Sequence, residues 1–414
     1  MSAVTLLILI AVLALAGFVG ARARAMASAG GDPRALHSLP SYYGWYAVVL
    51  ATLPALAVMV LWFTAKPFVT RWIAAEDGGE SVLGPWALSV VVLAVVLVGL
   101  ARAWMRTSKD FRARNAVERA LRYLLVGAAS LAVLTTVGIV LSLIFNTLEF
   151  FKLYPARDFF FGTTWAPSFG GGSELGVLPL FWGTFYISLI ALVVAVPIGL
   201  FAAVYLSEYA GPKTRAVAKP LLEVLAGIPT IVYGLFALLT VGPMLVGLFG
   251  DGGALGVDWM SGGRAVMTAG LVMGVMLIPF VSSLSDDIIN AVPQAMRDGS
   301  LGLGATPSET IKQVVLPAAL PGIVGAILLA ASRAIGETMI VVLGAGAAAR
   351  LDLNPFEAMT TVTTRIVSQL TGDADFSSPE ALVAFALAMT LFVITLGLNV
   401  IALVIVRKYR EQYD

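Results

Sequence analysis

Nine stretches of this chain are apolar for about 20 residues or more, near 3–20, 44–65, 83–101, 121–146, 180–206, 221–249, 264–284, 317–347 and 381–406. A helix rising 1.5 Å per residue needs roughly 20 such residues to cross a ~30 Å hydrocarbon layer. In lipid a backbone must satisfy its own polar groups, so runs of this length predict helices. The expected fold is all-α, a polytopic membrane protein with about nine transmembrane helices. The longest runs exceed the minimum and are expected to tilt, or to break at Pro and Gly.

Composition narrows the function. Of 414 residues, 59% are apolar and 12% charged, about half the charge fraction of an ordinary soluble domain. The absence of Cys removes disulfides and thiol chemistry. One histidine, His37, leaves no basis for a histidine metal site or a serine–histidine triad; His37 itself reads as a solvated loop residue. No catalytic residue, metal or cofactor is expected, so the chain reads as a non-enzyme. A net charge of +1 gives no basic face for nucleic acid.

Lys and Arg concentrate on the cytoplasmic side of membrane proteins. The segments 21–43, 102–122, 206–222, 285–316 and 407–414 together hold 18 of them, the alternate segments 7, and Arg333 lies inside a span. This split predicts an external N-terminus, nine crossings and a cytoplasmic C-terminus ending in the basic Arg407, Lys408 and Arg410. The first apolar run lacks a basic residue before it and has Arg22 and Arg24 after it, the charge order of a retained helix; a cleaved signal peptide is the alternative. The densest basic stretch, 102–122, reads as a loop against an anionic lipid surface. It also marks a seam between a three-helix membrane extension, 1–120, whose role is not legible, and a six-helix unit, 121–414.

No phosphate-cradling GxxxxGK[ST] loop occurs, and Gly211-Pro212-Lys213-Thr214 reads as a polar loop only. ATP-driven work would therefore need an ATPase on another chain. There is no TVGYG-type filter and no Arg-rich voltage sensor, so a channel is the weaker alternative.

The segment 285–317 is more than a connector. Pro293 suits a helix start, Gly304 a left-handed helix end, and Thr306-Pro307-Ser308-Glu309 a capping box. Two short helices, the second stopped by Pro317, would form a knob on the cytoplasmic side. Beyond it, Arg333 and Glu337 are spaced i, i+4 about 24 Å along the next helix from Pro317. Burying them costs at least ~2.5–3.5 kcal/mol each on insertion scales. Two readings stand: a structural ion pair, or an oxyanion pathway in which Arg333 supplies the forked donors and Glu337 holds the guanidinium or accepts a proton. Gly227-Ile228-Pro229 predicts a kink or break, either an ordinary Pro kink or the wall of a transport cavity. The run Gly170-Gly171-Gly172 reads as a flexible external loop.

Two of these motifs resemble a known family. ABC importer permeases carry a coupling loop of pattern EAA, three residues, Gly, nine residues, I-x-L-P. Here Asp298-Gly299-Ser300 stands at EAA, Gly304 at the Gly, Val314 at the Ile and Leu316-Pro317 at L-P; the spacing matches although Asp-Gly-Ser replaces Glu-Ala-Ala. Arg333-Ala334-Ile335-Gly336-Glu337-Thr338-Met339 resembles the signature of the PstC-type permeases of phosphate ABC importers. Phe161 to Trp165, Gly183-Thr184 and Gly227 to Gly234 resemble the same family, over about 140–410. The resemblance implies a type I six-helix permease core in the bacterial inner membrane and half of a phosphate pathway, with Arg333, Gly336, Glu337 and Thr338 along it. It also implies a loop that docks on an ATPase in trans, a second PstA-like permease, two ATP-binding subunits and an external phosphate-binding protein. A permease for sulfate or molybdate is the near alternative, and a secondary anion transporter or channel the far one.

Overall fold

Helix dominates the described residues, because a backbone in lipid must satisfy its own polar groups. The computed structural model describes residues 2–77, 85–168, 172–372 and 378–409, so Gly170, Gly171 and Arg410 lie outside the described residues. Among those described, strand is limited to one antiparallel pair, β1 (Trp165–Ala166) with β2 (Glu174–Leu175). Nine helical segments among them are long and apolar enough to cross a membrane: Ala3–Ser28, Pro40–Ala65, Leu88–Arg106, Ala113–Leu153, Leu178–Tyr209, Thr230–Phe249, Val266–Asn290, Pro307–Ile335 and Pro379–Lys408.

The chain divides into two compact units, Met1–Val137 and Gly138–Asp414. In the first, α1 (Ala3–Ser28), α2 (Pro40–Asp77) and α3 (Pro85–Arg106) pack on one another, and α4 (Ala113–Leu153) runs on into the second. Ser2 caps α1 by accepting the Thr5 N–H at 3.1 Å. Leu6, Ile10, Ala51, Ala55, Val92 and Val96 form the core between the three helices. Near one end, the Tyr43 hydroxyl donates to the Phe111 carbonyl at 3.0 Å, tying α2 to the loop before α4. His37 is exposed. The sequence seam at 120/121 falls inside α4, and the division between the units comes 17 residues later, after Val137.

In the second unit the short α5 (Ala156–Phe161) and the β-pair precede α6 (Leu178–Val204). Then come α7 (Pro212–Gly227), α8 (Thr230–Phe236), α9 (Gly242–Phe249) and α10 (Val266–Asn290). The chain continues through α11 (Gln294–Gly302), α12 (Pro307–Thr310), α13 (Leu316–Ile335), α14 (Met339–Gly344), α15 (Val362–Gly372) and α16 (Pro379–Tyr409). Helix α10 is the central element: it packs on α6, α13, α14, α8 and α7, and the largest core cluster gathers around it. Small residues permit that approach; a Cβ on Gly274 would stand 2.8 Å from Val194 of α6.

Three single π-turns interrupt the helices, at Tyr205–Tyr209, Ala237–Val241 and Ile311–Val315. The last two have one cause. Pro243 and Pro317 lack an N–H, and their rings would strike the carbonyl four residues back. The preceding residue instead bonds five back, Gly242 N–H to the Ala237 carbonyl and Leu316 N–H to the Ile311 carbonyl. The extra residue accommodates each proline without breaking the helix. Pro317 therefore does not stop the second knob helix as the sequence predicted; α12, the π-turn and α13 form one rod. Two further expectations change. The run 317–347 is not one span, because α13 ends at Ile335 and α14 starts at Met339. Gly211-Pro212-Lys213-Thr214 is the start of α7, with Pro212 in its first turn, rather than a loop.

Candidate functional site

The knob is built by three local devices. Pro293 precedes α11 in the N-cap position. Gly304 takes φ +92°, a left-handed conformation that side chains disfavour. Its N–H bonds the Leu301 carbonyl at 3.0 Å, and the Ala305 N–H bonds that of Ser300 at 3.2 Å, closing the end of α11. Thr306 and Glu309 then form a reciprocal capping box: Thr306 Oγ1 accepts the Glu309 N–H at 3.3 Å, and Glu309 Oε2 accepts the Thr306 N–H at 2.8 Å.

Two polar ties and an apolar base fix the knob to the bundle. Arg297 pairs with Glu208 in the π-turn after α6 and donates to the Ile289 carbonyl at 2.7 Å, one of the orphan carbonyls at the end of α10. The Ser300 and Thr310 hydroxyls bond at 2.9 Å across the two arms. Ile289, Val292, Val315, Ala319 and Ile323 make the base, with Val314 and Leu316 half-buried beside it. Asp298 is exposed and accepts from Gln294 Nε2 at 3.0 Å; Gly299 has open space around it. At the tip, Leu303 is 93% exposed, an apolar side chain left in water. The sequence analysis passed over Leu303, since nothing in its spacing separates it from a core leucine.

At the far end of α13, Arg333 occupies the last turn, where a cation complements the helix dipole. Its guanidinium carbon lies 5.7 Å from the Phe280 ring centroid and it lines a cavity of about 410 Å³ between α7, α10 and α13. The expected Arg333–Glu337 ion pair does not form among the described residues, because the helix ends between the two. Glu337 instead turns to α14, where its carboxylate accepts the Met339 N–H at 3.1 Å, and its carbonyl accepts from the Thr363 hydroxyl at 2.8 Å. Gly336 is the C-cap of α13, and Thr338 is the N-cap residue of α14. The structure thus separates Arg333 from Gly336, Glu337 and Thr338, with Arg333 on the cavity and Glu337 bracing the break.

The chain also breaks at Gly227-Ile228-Pro229. Helix α7 stops at Gly227, Ile228 is extended (φ −70°, ψ 128°), and Pro229 precedes α8. Ile228 lines the same cavity as Arg333. Lys219 and Asp286 stand in this wall, with Arg215 beside them, and the spacing of the three does not signal that they meet. Asp286 is buried, with only 4% of its side chain exposed, and it accepts from Lys219 Nζ at 2.8 Å, Arg215 Nη2 at 3.1 Å and Asn290 Nδ2 at 2.8 Å. That hydrogen bond with Asp286 holds the Lys219 ammonium above the usual lysine value. The adjacent Asp286-Asp287 pair one turn from the end of a span was the available signal; nothing in the sequence pointed to its partners about 70 residues earlier.

Elsewhere, Gly183 and Thr184 dock α6 against the loop before α15. A Cβ on Gly183 would meet the Thr360 carbonyl at 2.2 Å, and Thr184 Oγ1 accepts the Val362 N–H at 3.1 Å. Groups of three or more candidate metal-ligating side chains are absent among the described residues.

A multi-pass bundle with a rod running from an exposed knob to a charged cavity has the architecture of a membrane permease subunit. Residues 195–411 match the family described as binding-protein-dependent transport system inner membrane component, and the chain belongs to that family. Residues 7–85 match a second family, described as phosphate ATP-binding cassette transporter. The phosphate transport system permease protein PstC of Mesorhizobium japonicum is 30% identical over 72% of this chain and 93% of its own. The protein named PstC 1 from Mycobacterium tuberculosis is 35% identical over 57% of this chain and 74% of its own. Among solved structures, the MetNI methionine ABC transporter in an inward-facing conformation aligns with TM-score 0.40 and 17% identity, over 55% of this chain and 93% of that one. The chain is therefore a multi-pass inner-membrane permease whose family works with ATP-binding subunits and a substrate-binding protein.

Proposed function

We propose that this chain is the PstC-type half of an ATP-driven phosphate importer, paired with a PstA-like permease and fed by an external phosphate-binding protein. One observation carries the reading: the helical rod from Thr306 to Ile335 joins the knob at one end to Arg333 and its cavity at the other. At 1.5 Å per residue the rod is about 45 Å long, so displacement of the knob is delivered at the depth of Arg333. In this reading two ATPase subunits dock on the exposed face around Asp298, Gly299 and Leu303, and their closure swings the rod. Gly304 sets the angle between the knob's arms, while Val314, Leu316 and Pro317 join the knob to the span. The breaks at Gly227–Pro229 and Gly336–Thr338 line the moving seam, and phosphate passes Arg333.

The 18-to-7 division of Lys and Arg between alternate connecting segments supports a cytoplasmic knob and C-terminus and an external N-terminus. Residues 1–120 are an appended membrane extension to the core at 121–414. Reconstitution of the complete complex in proteoliposomes tests the assignment. ATP-dependent uptake of labelled phosphate is expected, with sulfate and molybdate as poor competitors, and this chain alone is expected to be inert. Preferred uptake of sulfate or molybdate would reassign the substrate; flux through the isolated chain would refute the permease reading.

A further inference from the structure

Helix α7 is attached to the bundle by charge rather than by packing. None of its 16 residues is buried, and Val217, Leu221 and Val224 stand more than 60% exposed. What holds it to α10 is the pairing of Arg215 and Lys219 with Asp286; the Tyr233 hydroxyl of α8 also donates to the Leu225 carbonyl at 2.8 Å.

Within that cluster the two cations are not equivalent. Asp286 Oδ1 accepts from Arg215 and Asn290, and Oδ2 from Lys219 and, at 3.2 Å, from Arg215. Lys219 can therefore leave without stranding a buried carboxylate, which would otherwise cost several kcal/mol. Lys219 also lines the cavity that holds Arg333. Its ammonium has three donors, of which one is spent on Asp286, with Asp287 3.9 Å away and largely exposed. Glu223, one turn further along α7, is the remaining charged group on the wall and offers an acceptor to a protonated oxyanion.

A single guanidinium neutralises one charge and leaves part of a tetrahedral oxyanion unpaired. We propose that Lys219 is the second cation of an oxyanion site in this cavity, shared between substrate and Asp286, so that an entering anion draws its ammonium off Asp286 and loosens α7 from α10. The inference rests on the phosphate-permease reading and extends it: the site signals its own occupancy through the helix that walls it.

The test uses the complete transporter without its binding protein. Because this chain has no cysteine, V217C in cysteine-free partners places a single nitroxide on the exposed face of α7. Titration with inorganic phosphate is expected to mobilise the label. D286N should be mobile before any phosphate is added. K219M, which lacks the ammonium that ties α7 to Asp286, should be more mobile than wild type before phosphate is added and lose most of its phosphate response, and K219R should restore most of that response. A phosphate response unchanged in K219M would overturn the proposal, since Arg333 alone would then suffice. So would a wild-type label indifferent to phosphate in a complex that still imports it. A wild-type complex with no ATP-driven phosphate uptake would instead sink the functional reading itself.

Discussion

Gly304 is the sharpest place to perturb the coupling between knob and membrane. Its φ of +92° lies where L side chains are strained, yet a Cβ built on it meets nothing within 4 Å. Substitution therefore costs only backbone strain, about 1–2 kcal/mol for a residue forced into left-handed conformation. That is a factor of roughly 5–30 in the population of the native turn. Gly304→Val should sit at the upper end of this range, because a β-branched side chain is least tolerant of positive φ. Gly299→Ala is the matched control: it has the same open surroundings but lies inside α11, where Ala is favoured over Gly by roughly 0.5–1 kcal/mol. The assay is the ratio of ATP hydrolysed to phosphate imported in proteoliposomes carrying the whole complex. Gly304→Val should raise that ratio severalfold with assembly intact, and Gly299→Ala should leave it at the wild-type value. Equal ratios in Gly304→Val and wild type, or an equal rise in both variants, would refute the claim that the left-handed turn transmits the stroke.

Three further outcomes follow from the same geometry. Arg333→Gln should abolish phosphate uptake while the complex still purifies intact, as judged by size-exclusion chromatography and subunit stoichiometry; undiminished uptake would make Arg333 structural. Leu303→Ser should weaken binding of the ATPase subunits by roughly 10–100-fold, the worth of burying one leucine, read by titrating ATPase subunit onto the permease pair. Arg297→Gln strands Glu208, whose side chain is only 12% exposed, and leaves the Ile289 carbonyl to the Val292 N–H, at 3.3 Å. It should lower the thermal stability of the complex and speed amide exchange in α11, with much less effect in α14 or α15.

Much of the fold was legible beforehand because lipid admits so few solutions. Hydrophobic run length located the nine helical segments long and apolar enough to cross a membrane among the described residues, but not the breaks at Gly227–Pro229 and Gly336–Thr338. The capping box at Thr306–Glu309 could be read directly, since its partners lie three residues apart, as could the Gly304 turn. Local chemistry of this kind is written into consecutive residues. The Pro317 expectation failed for a related reason: a proline limits its own turn, but whether the helix stops or takes up one extra residue depends on packing that the proline does not control. Val315, Ala319 and Ile323 bury against α6 and α10 and keep the rod continuous.

By itself, the sequence determined that this is a membrane bundle and which residues form the knob, because run length and short-range caps need no knowledge of neighbours. Only the tertiary structure decided what the charges do. It ended α13 between Arg333 and Glu337, turned the one to the Phe280 wall and the other to α14, and brought Arg215 and Lys219 to Asp286 from about 70 residues away. Electrostatic partnership falls off with distance in space, and separation along the chain does not determine that distance until the helices have packed.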